Sequence, residues 1–147
     1  MSDSFDLRRF VDAQEPVYRQ VVEELSHGRK RTHWMWFVFP QIAGLGSSAM
    51  AQRFAIGSRA EAVAYVEHGL LGPRLIECTQ LVMTASEKTI TDIFGSPDDM
   101  KFRSCMTLFD AVSQQGVFAE ALAAFYPGGK DRATLAILGG ARPRPGE

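Results

Sequence analysis

Cysteine is scarce in this chain. Only Cys78 and Cys105 occur in 147 residues, far apart and each in an apolar helical pattern, whereas a secreted disulfide scaffold carries more cysteines in a shorter chain. The expectation is two buried, reduced thiols. An excess charge is missing too. Sixteen basic residues face seventeen acidic ones for a net charge of -1, so no general field draws in nucleic acid or anionic lipid, and any such contact has to be local. No apolar run approaches the ~20 residues needed to cross a bilayer; residues 34–40 form one far below it. Met1-Ser2-Asp3-Ser4 has neither the basic nor the apolar region of a signal peptide, and a cytoplasmic protein is expected. Strand signals are poor: residues 34–39 alone have the bulky β-prone composition, with no obvious partner segment.

What is present is the helical period. With 46% apolar and 22% charged residues the chain has a globular composition, and at this length one core suffices without metal or disulfide. Tyr18, Val21, Val22 and Leu25 recur at i, i+3, i+4 and i+7, with Pro16 suited to the first turn and Gly28 to the stop. A short helix over residues 5–14 precedes them. Ser58 and Glu61 have capping-box spacing ahead of Ala62, Tyr65 and Val66. After a break at residues 69–73 come Leu75, Cys78, Val82 and Ala85 on one side. Ser96-Pro97-Asp98-Asp99 reads as a cap, a proline at the first helical position and two acids at the positive helix end, leading into the stripe Phe102, Cys105, Met106, Phe109 and Val112. Helices over 118–126 and 131–138 complete the series. The expectation is an all-α fold, a single compact domain over residues 1–140 with six or seven helices around an aromatic core, and a loose tail over 141–147.

His33-Trp34-Met35-Trp36-Phe37-Val38-Phe39-Pro40-Gln41 holds both tryptophans of the chain. It is apolar on every face, so its simplest role is the centre of the core. Its flanks suggest more. His33 and Gln41 bring polar groups to its ends, and Gly44-Leu45-Gly46-Ser47-Ser48 follows. Two glycines permit close backbone approach, Ser47 is placed to cap the next helix, and free N–H groups at that helix start favour an anion beside a stacking ring. A nucleotide-sized pocket would then use His33, Trp36, Gln41, Gly44, Gly46, Ser48 and Lys101. Ordinary loop chemistry explains the same glycines and serines.

Other motifs fail on inspection. Gly44-x-Gly46 lacks a βαβ unit around it, and Gly129-Lys130 has Ala124 and Asp131 where a P-loop needs Gly and Ser or Thr. His27, His33 and His68 lack metal-ligand spacing, so neither a metal nor a cofactor is expected. Asp98 and Asp99 are explained by helix-start electrostatics, and Arg29-Lys30-Arg31 by a solvated helix end. Lys101, Arg103, Lys130, Asp131 and Arg132 are candidates for a polar rim around the aromatic centre.

The motifs Phe10-x-x-Ala13-Gln14, His33 through Gln41 as above, Gly44-Leu45-Gly46-x-Ser48, Leu71-Gly72-x-Arg74-Leu75, Ile93-Phe94-Gly95-x-x-Asp98-x-x-Lys101 and Met106-Thr107-Leu108-Phe109 together cover nearly the whole chain. On them the chain resembles domain of unknown function 1810, a family of bacterial all-helical proteins sometimes labelled calpastatin. The resemblance implies a helical domain with no established activity. Calpain inhibition has no physical support here, since calpastatins are disordered and this composition predicts a packed globule. Relatives often have proline at Gly69 and serine at Cys105, which argues against a catalytic thiol. The order of an Ala13-Gln14 helix, an aromatic centre, and a helix from Lys101 to Phe109 before Gly128-Gly129-Lys130-Asp131 is also similar in layout to N-glycosidases of ADP-ribose conjugates.

Two functional readings follow. In the first, the chain is a small-ligand binding or interaction domain without chemistry of its own, because no paired acid–base constellation stands out. In the second, it is a small-molecule enzyme acting on a nucleotide or an ADP-ribose-type N-glycoside. Either way the expected partner is a small phosphorylated or nucleotide-like ligand rather than nucleic acid or membrane, and the pattern specifies no oligomeric state.

Overall fold

The helical period is realised as ten helices within residues 4–139, the part of the chain that the computed structural model describes. They are α1 (Arg8–Gln14), α2 (Tyr18–Ser26), α3 (Met35–Val38), α4 (Ala49–Arg53), α5 (Arg59–Glu67), α6 (Leu71–Met83), α7 (Ile90–Phe94), α8 (Asp98–Val112), α9 (Val117–Phe125) and α10 (Arg132–Leu138). Among the described residues extended pairing is limited to one parallel bridge between Ile42 and Ile56. The expected six or seven helices fall short because α3, α4 and α7 have only 4, 5 and 5 residues. One turn shows no recurrence of apolar positions for a periodicity argument to find. The expected tail at 141–147 lies outside the described residues. No described helix is long and apolar enough to cross a membrane.

α8 is the axis of the fold. Phe102, Cys105, Met106, Leu108 and Phe109 are completely buried on it, and α5, α7, α9 and α10 pack around it. A second layer forms where α6 packs against α2, α5 and α9. At one point this contact is backbone against backbone. A Cβ built on Gly72, in the first turn of α6, would lie 2.1 Å from the carbonyl oxygen of Val66 in α5. The expected break at 69–73 is therefore shorter than the sequence suggests. The helix restarts at Leu71 with Pro73 inside its first turn, where a missing N–H removes no intrahelical bond.

The rings fall into two groups within one core. Phe94 stacks on Phe102 at 4.9 Å, Phe39 meets Phe102 edge-on at 4.9 Å, and Trp34 lies 6.2 Å from Phe39. On the other side Phe10 meets Tyr65 edge-on at 5.0 Å, and Phe37 and Phe54 are 5.3 Å apart. The segment at 34–39 feeds both groups, and burial of its large rings makes it the centre of the core. Its polar backbone is served from α1. Buried Gln14 donates Nε2 to the Phe37 carbonyl at 2.6 Å and to the Tyr65 hydroxyl at 3.1 Å, while Arg74 donates to its Oε1 at 3.3 Å.

The caps differ in detail from the sequence expectation. Ser48, not Ser47, caps α4, its Oγ accepting from the Ala51 N–H at 3.1 Å. Ser58 accepts from the Glu61 N–H, but the Glu61 carboxylate accepts from Gly57 N–H instead of closing the box. Arg9 also holds that carboxylate, at 2.8 Å. Pro97 itself is the N-cap of α8 and offers no side-chain cap, while Asp98 and Asp99 occupy the first turn and Asp99 Oδ1 accepts from the Met100 N–H at 2.8 Å. α10 is the best-secured start. Asp131 Oδ2 accepts from Ser104 Oγ at 3.2 Å and from the Thr134 N–H at 3.0 Å, and its own N–H donates to Thr107 Oγ1 at 2.9 Å. Replacing Asp131 with Ala is expected to cost about 2 kcal/mol in urea unfolding. A loss below a few tenths would show that this cap does not tie α10 to α8.

Candidate functional site

The wall of the site is a loop closed on itself. After α3 and Phe39 the chain leaves the core, carries α4, and returns beside its own departure point. There Ile56 N–H donates to the Gln41 carbonyl and Ala43 N–H to the Ile56 carbonyl, each at 2.8 Å. Arg9 fastens the loop from outside, donating to the carbonyls of Arg53 and Ala55 at 2.8 Å each while its guanidinium lies 4.4 Å from the Phe10 ring centre. Two glycines shape the turn. Gly44 has φ +104°, in the left-handed half of backbone space where a side chain is strained. Gly46 faces Ala51 so closely that a Cβ there would sit 2.7 Å from the Ala51 Cβ.

Between this loop, α3 and α8 lies an apolar cleft of about 140 Å³. Met35, Phe39, Ile42, Ala51 and Phe54 give it apolar walls, and Trp36, Gln41, Gln52 and Lys101 supply the polar edge. Lys101 Nζ sits 5.6 Å from the Trp36 ring centre, within range of a cation–π contact. Its ionic partner is Asp98, one turn earlier on α8, at 3.7 Å. Asp98 is bound more closely by Lys30, at 3.0 Å, whose ammonium has only 8% side-chain exposure and lies 5.2 Å from the Trp34 ring centre. Gln52 Nε2 donates to the Ser47 carbonyl at 3.0 Å. Gln41 is half-buried, and its side-chain amide makes no hydrogen bond among the described residues.

Of the residues singled out in the sequence, Trp36, Gln41, Gly44, Gly46 and Lys101 line this cleft. His33 is exposed and outside it, because the chain bends at Thr32 and His33 before α3 begins. Ser48 is also outside the lining, its hydroxyl spent on the α4 start. The expected polar rim does not assemble. Arg103 donates to the Gly129 and Lys130 carbonyls, Lys130 pairs with Asp110 at 3.3 Å, and Asp131 caps α10. These groups join α8 to α10, and Lys101 alone among them reaches the cleft. Lys30, expected on a solvated helix end, is instead enclosed by its pairing with Asp98 and its seat over Trp34.

Sequence reasoning missed Glu24. It lies on α2, 3% exposed, and collects the chain that leads into α3. Oε1 accepts from Arg31 N–H (2.7 Å), Thr32 N–H (3.1 Å) and Trp34 Nε1 (2.9 Å). Oε2 accepts from Thr32 Oγ1 at 2.6 Å and from Gln20 Nε2 at 2.9 Å. Burial alone would push its pKa up. The donors, Thr32 and the Arg31 N–H foremost, outweigh that and hold it at about 2. The available signal was the certainty that a buried tryptophan needs an acceptor for its indole N–H.

The one titratable side chain in the lining of the cleft is Lys101. None of its lining residues is Asp, Glu, His or Cys. Both thiols are buried, which pushes Cys78 up to about 12 and Cys105 well above the ordinary thiol range, so neither offers a thiolate. Among the described residues no three His, Cys, Asp or Glu side chains gather as a metal cage would require.

A family model described as "Protein of unknown function (DUF1810)" matches residues 4–138. The crystal structure of the conserved hypothetical protein Rv1873 from Mycobacterium tuberculosis is similar at 58% identity and a TM-score of 0.91, over 93% of this chain and 99% of that one. No curated protein matches the sequence.

Proposed function

We propose that this chain, which belongs to the DUF1810 family of proteins of unknown function, is a small-ligand binding protein whose site is the cleft between α3, α8 and the loop at 41–56. One observation carries the reading. Trp36, Gln41 and Lys101, from two segments far apart in the chain, meet at the edge of one apolar recess, and the Gln41 amide has no intramolecular partner among the described residues. An apolar recess with a few convergent polar groups is the usual form of a ligand site. Its volume of about 140 Å³ is that of the cavities, roughly 150 Å³, that accept benzene. A single ring fits, and a nucleotide would leave all but its base outside. Enzymatic cleavage of a nucleotide or an ADP-ribose N-glycoside needs a general acid or base within reach, and the one titratable side chain in the lining, Lys101, is paired with Asp98 and seated over Trp36. Binding without turnover is therefore preferred.

A thermal-shift and NMR screen of one-ring fragments tests this. A ligand at 100 times its Kd adds about 2.7 kcal/mol, several degrees for a domain of this size. The same fragment is expected to move the Trp36 indole resonance and to lose its effect in Ala51→Leu, which fills the recess from α4. If no fragment at millimolar concentration moves that resonance, the cleft is not a ligand site.

A further inference from the structure

We infer that the cleft selects a one-ring aromatic monocarboxylate, its ring in the apolar recess and its carboxylate against Lys101 and the Gln41 amide. The inference rests on the binding reading above and adds a charge to it.

The argument is a local charge count. Lys30 and Lys101 both pair with Asp98, but unequally, at 3.0 Å and 3.7 Å. One carboxylate balances one ammonium. Lys30 is the better placed and the more enclosed of the two, so the charge left over belongs to Lys101, which is 26% exposed at the mouth of the cleft. The neighbouring acid, Asp99, keeps its negative charge but forms no ion pair with Lys101 among the described residues. Its carboxylate is engaged by Thr91 Oγ1 at 2.7 Å and by the Met100 N–H at 2.8 Å, on the α7 side. Asp98 and Asp99 sit at the N-terminal end of a 15-residue helix, whose partial positive charge further offsets them. The Trp36 face holds the ammonium at 5.6 Å without neutralising it.

Shape and charge then point to one class of ligand. A recess of about 140 Å³ walled by Phe39, Ile42 and Phe54 takes one ring. A single uncompensated cation matches a single negative charge, and a primary amide beside it can donate to the second carboxylate oxygen. A cationic ring would meet Lys101 in repulsion.

The test compares three probes of nearly one shape, benzoate, benzamide and benzylamine, by calorimetry and by the Trp36 indole resonance. Benzoate is expected to bind about tenfold more tightly than benzamide, the factor that roughly 1.4 kcal/mol gives, with benzylamine weakest. In Lys101→Met the preference for benzoate over benzamide should collapse while benzamide binding persists, and Lys101→Arg should restore it. Persistent benzamide binding also shows that the variant is folded. Equal affinity for benzoate and benzamide in the native chain overturns the charge assignment and leaves the cleft reading standing. A preference that survives in Lys101→Met overturns it as well. If none of the three binds while another one-ring fragment moves the Trp36 resonance, the charge assignment falls and the cleft reading stands; if no one-ring fragment does, both fall.

Discussion

Glu24→Gln is expected to lower stability at pH 7 by about 3 kcal/mol and to flatten its dependence on acid. A carboxylate accepts and never donates, which suits a position ringed by Gln20, Arg31, Thr32 and Trp34 donors. Glutamine keeps its carbonyl on the Arg31, Thr32 and Trp34 N–H groups only by placing its NH₂ at the Oε2 position, where the Thr32 hydroxyl and the Gln20 amide must turn round to accept, and the charge that strengthens all five bonds is lost. The pH effect has a definite sign. The folded pKa of about 2 lies below the ordinary value of 4.5, so the stabilisation is fully present above pH 4.5 and drains away as pH falls towards 2. That depression corresponds to roughly 3 kcal/mol, of which about 2 is gone by pH 3. Urea unfolding at pH 7 and pH 3 should therefore show a drop in the native chain that is smaller by about 2 kcal/mol in the variant. Equal drops in the two proteins would mean that Glu24 contributes nothing through its charge. Because the Trp34 indole N–H donates to this carboxylate, its resonance should shift over the same acid range.

Gly72→Ala is expected to be more damaging than any truncation in the cleft. Alanine normally favours a helix over glycine by about 1 kcal/mol. Here the methyl group would lie 2.1 Å from the Val66 carbonyl oxygen and 3.0 Å from its carbonyl carbon. Neither backbone atom can move without drawing α5 off α6, and overpacking of this kind costs up to about 3 kcal/mol and occasionally more. The net expectation is a loss of at least 2 kcal/mol in denaturant unfolding, or no soluble protein. A neutral or stabilising outcome would show that the two helices are not in backbone contact. The matching substitution at Gly69, where a Cβ would meet nothing within 4 Å, should be close to silent and serves as the control.

How much of this was legible in the sequence depends on how local the cause is. The α8 stripe was readable because Phe102, Cys105, Met106 and Phe109 repeat on one face, and all four are completely buried. The burial of Trp34, Met35, Phe37, Val38 and Phe39 followed from composition alone, whereas Trp36 is half-buried at the cleft edge. α7 was not readable, although Thr89 and Asp92 form a complete capping box, because five residues offer no period to detect. Lys30 reads as a solvated charge, and nothing in the sequence singles out Glu24. Their burial is set by groups brought in from elsewhere: Trp34 for Glu24, Asp98 for Lys30. Within the candidate site the residues chosen from the aromatic segment and α8 meet at one recess. His33 was lost because the bend at Thr32 and His33 leaves it on the surface, and Ser48 because its own helix uses the hydroxyl.

The loop that walls the recess has a consequence for how such proteins diversify. Its two ends are stitched to each other at Gln41, Ala43 and Ile56, and Arg9 pins its base. The stretch bearing Gly46, Ser47 and Ser48 is exposed and touches little of the core. Gly46 is held by its contact with Ala51 and Ser48 by its cap, but changes of length or side chain at Ser47 are absorbed locally, since loop extension carries only a slowly growing entropic penalty. A lineage can thus retune what the recess admits while the packed rings beneath stay as they are.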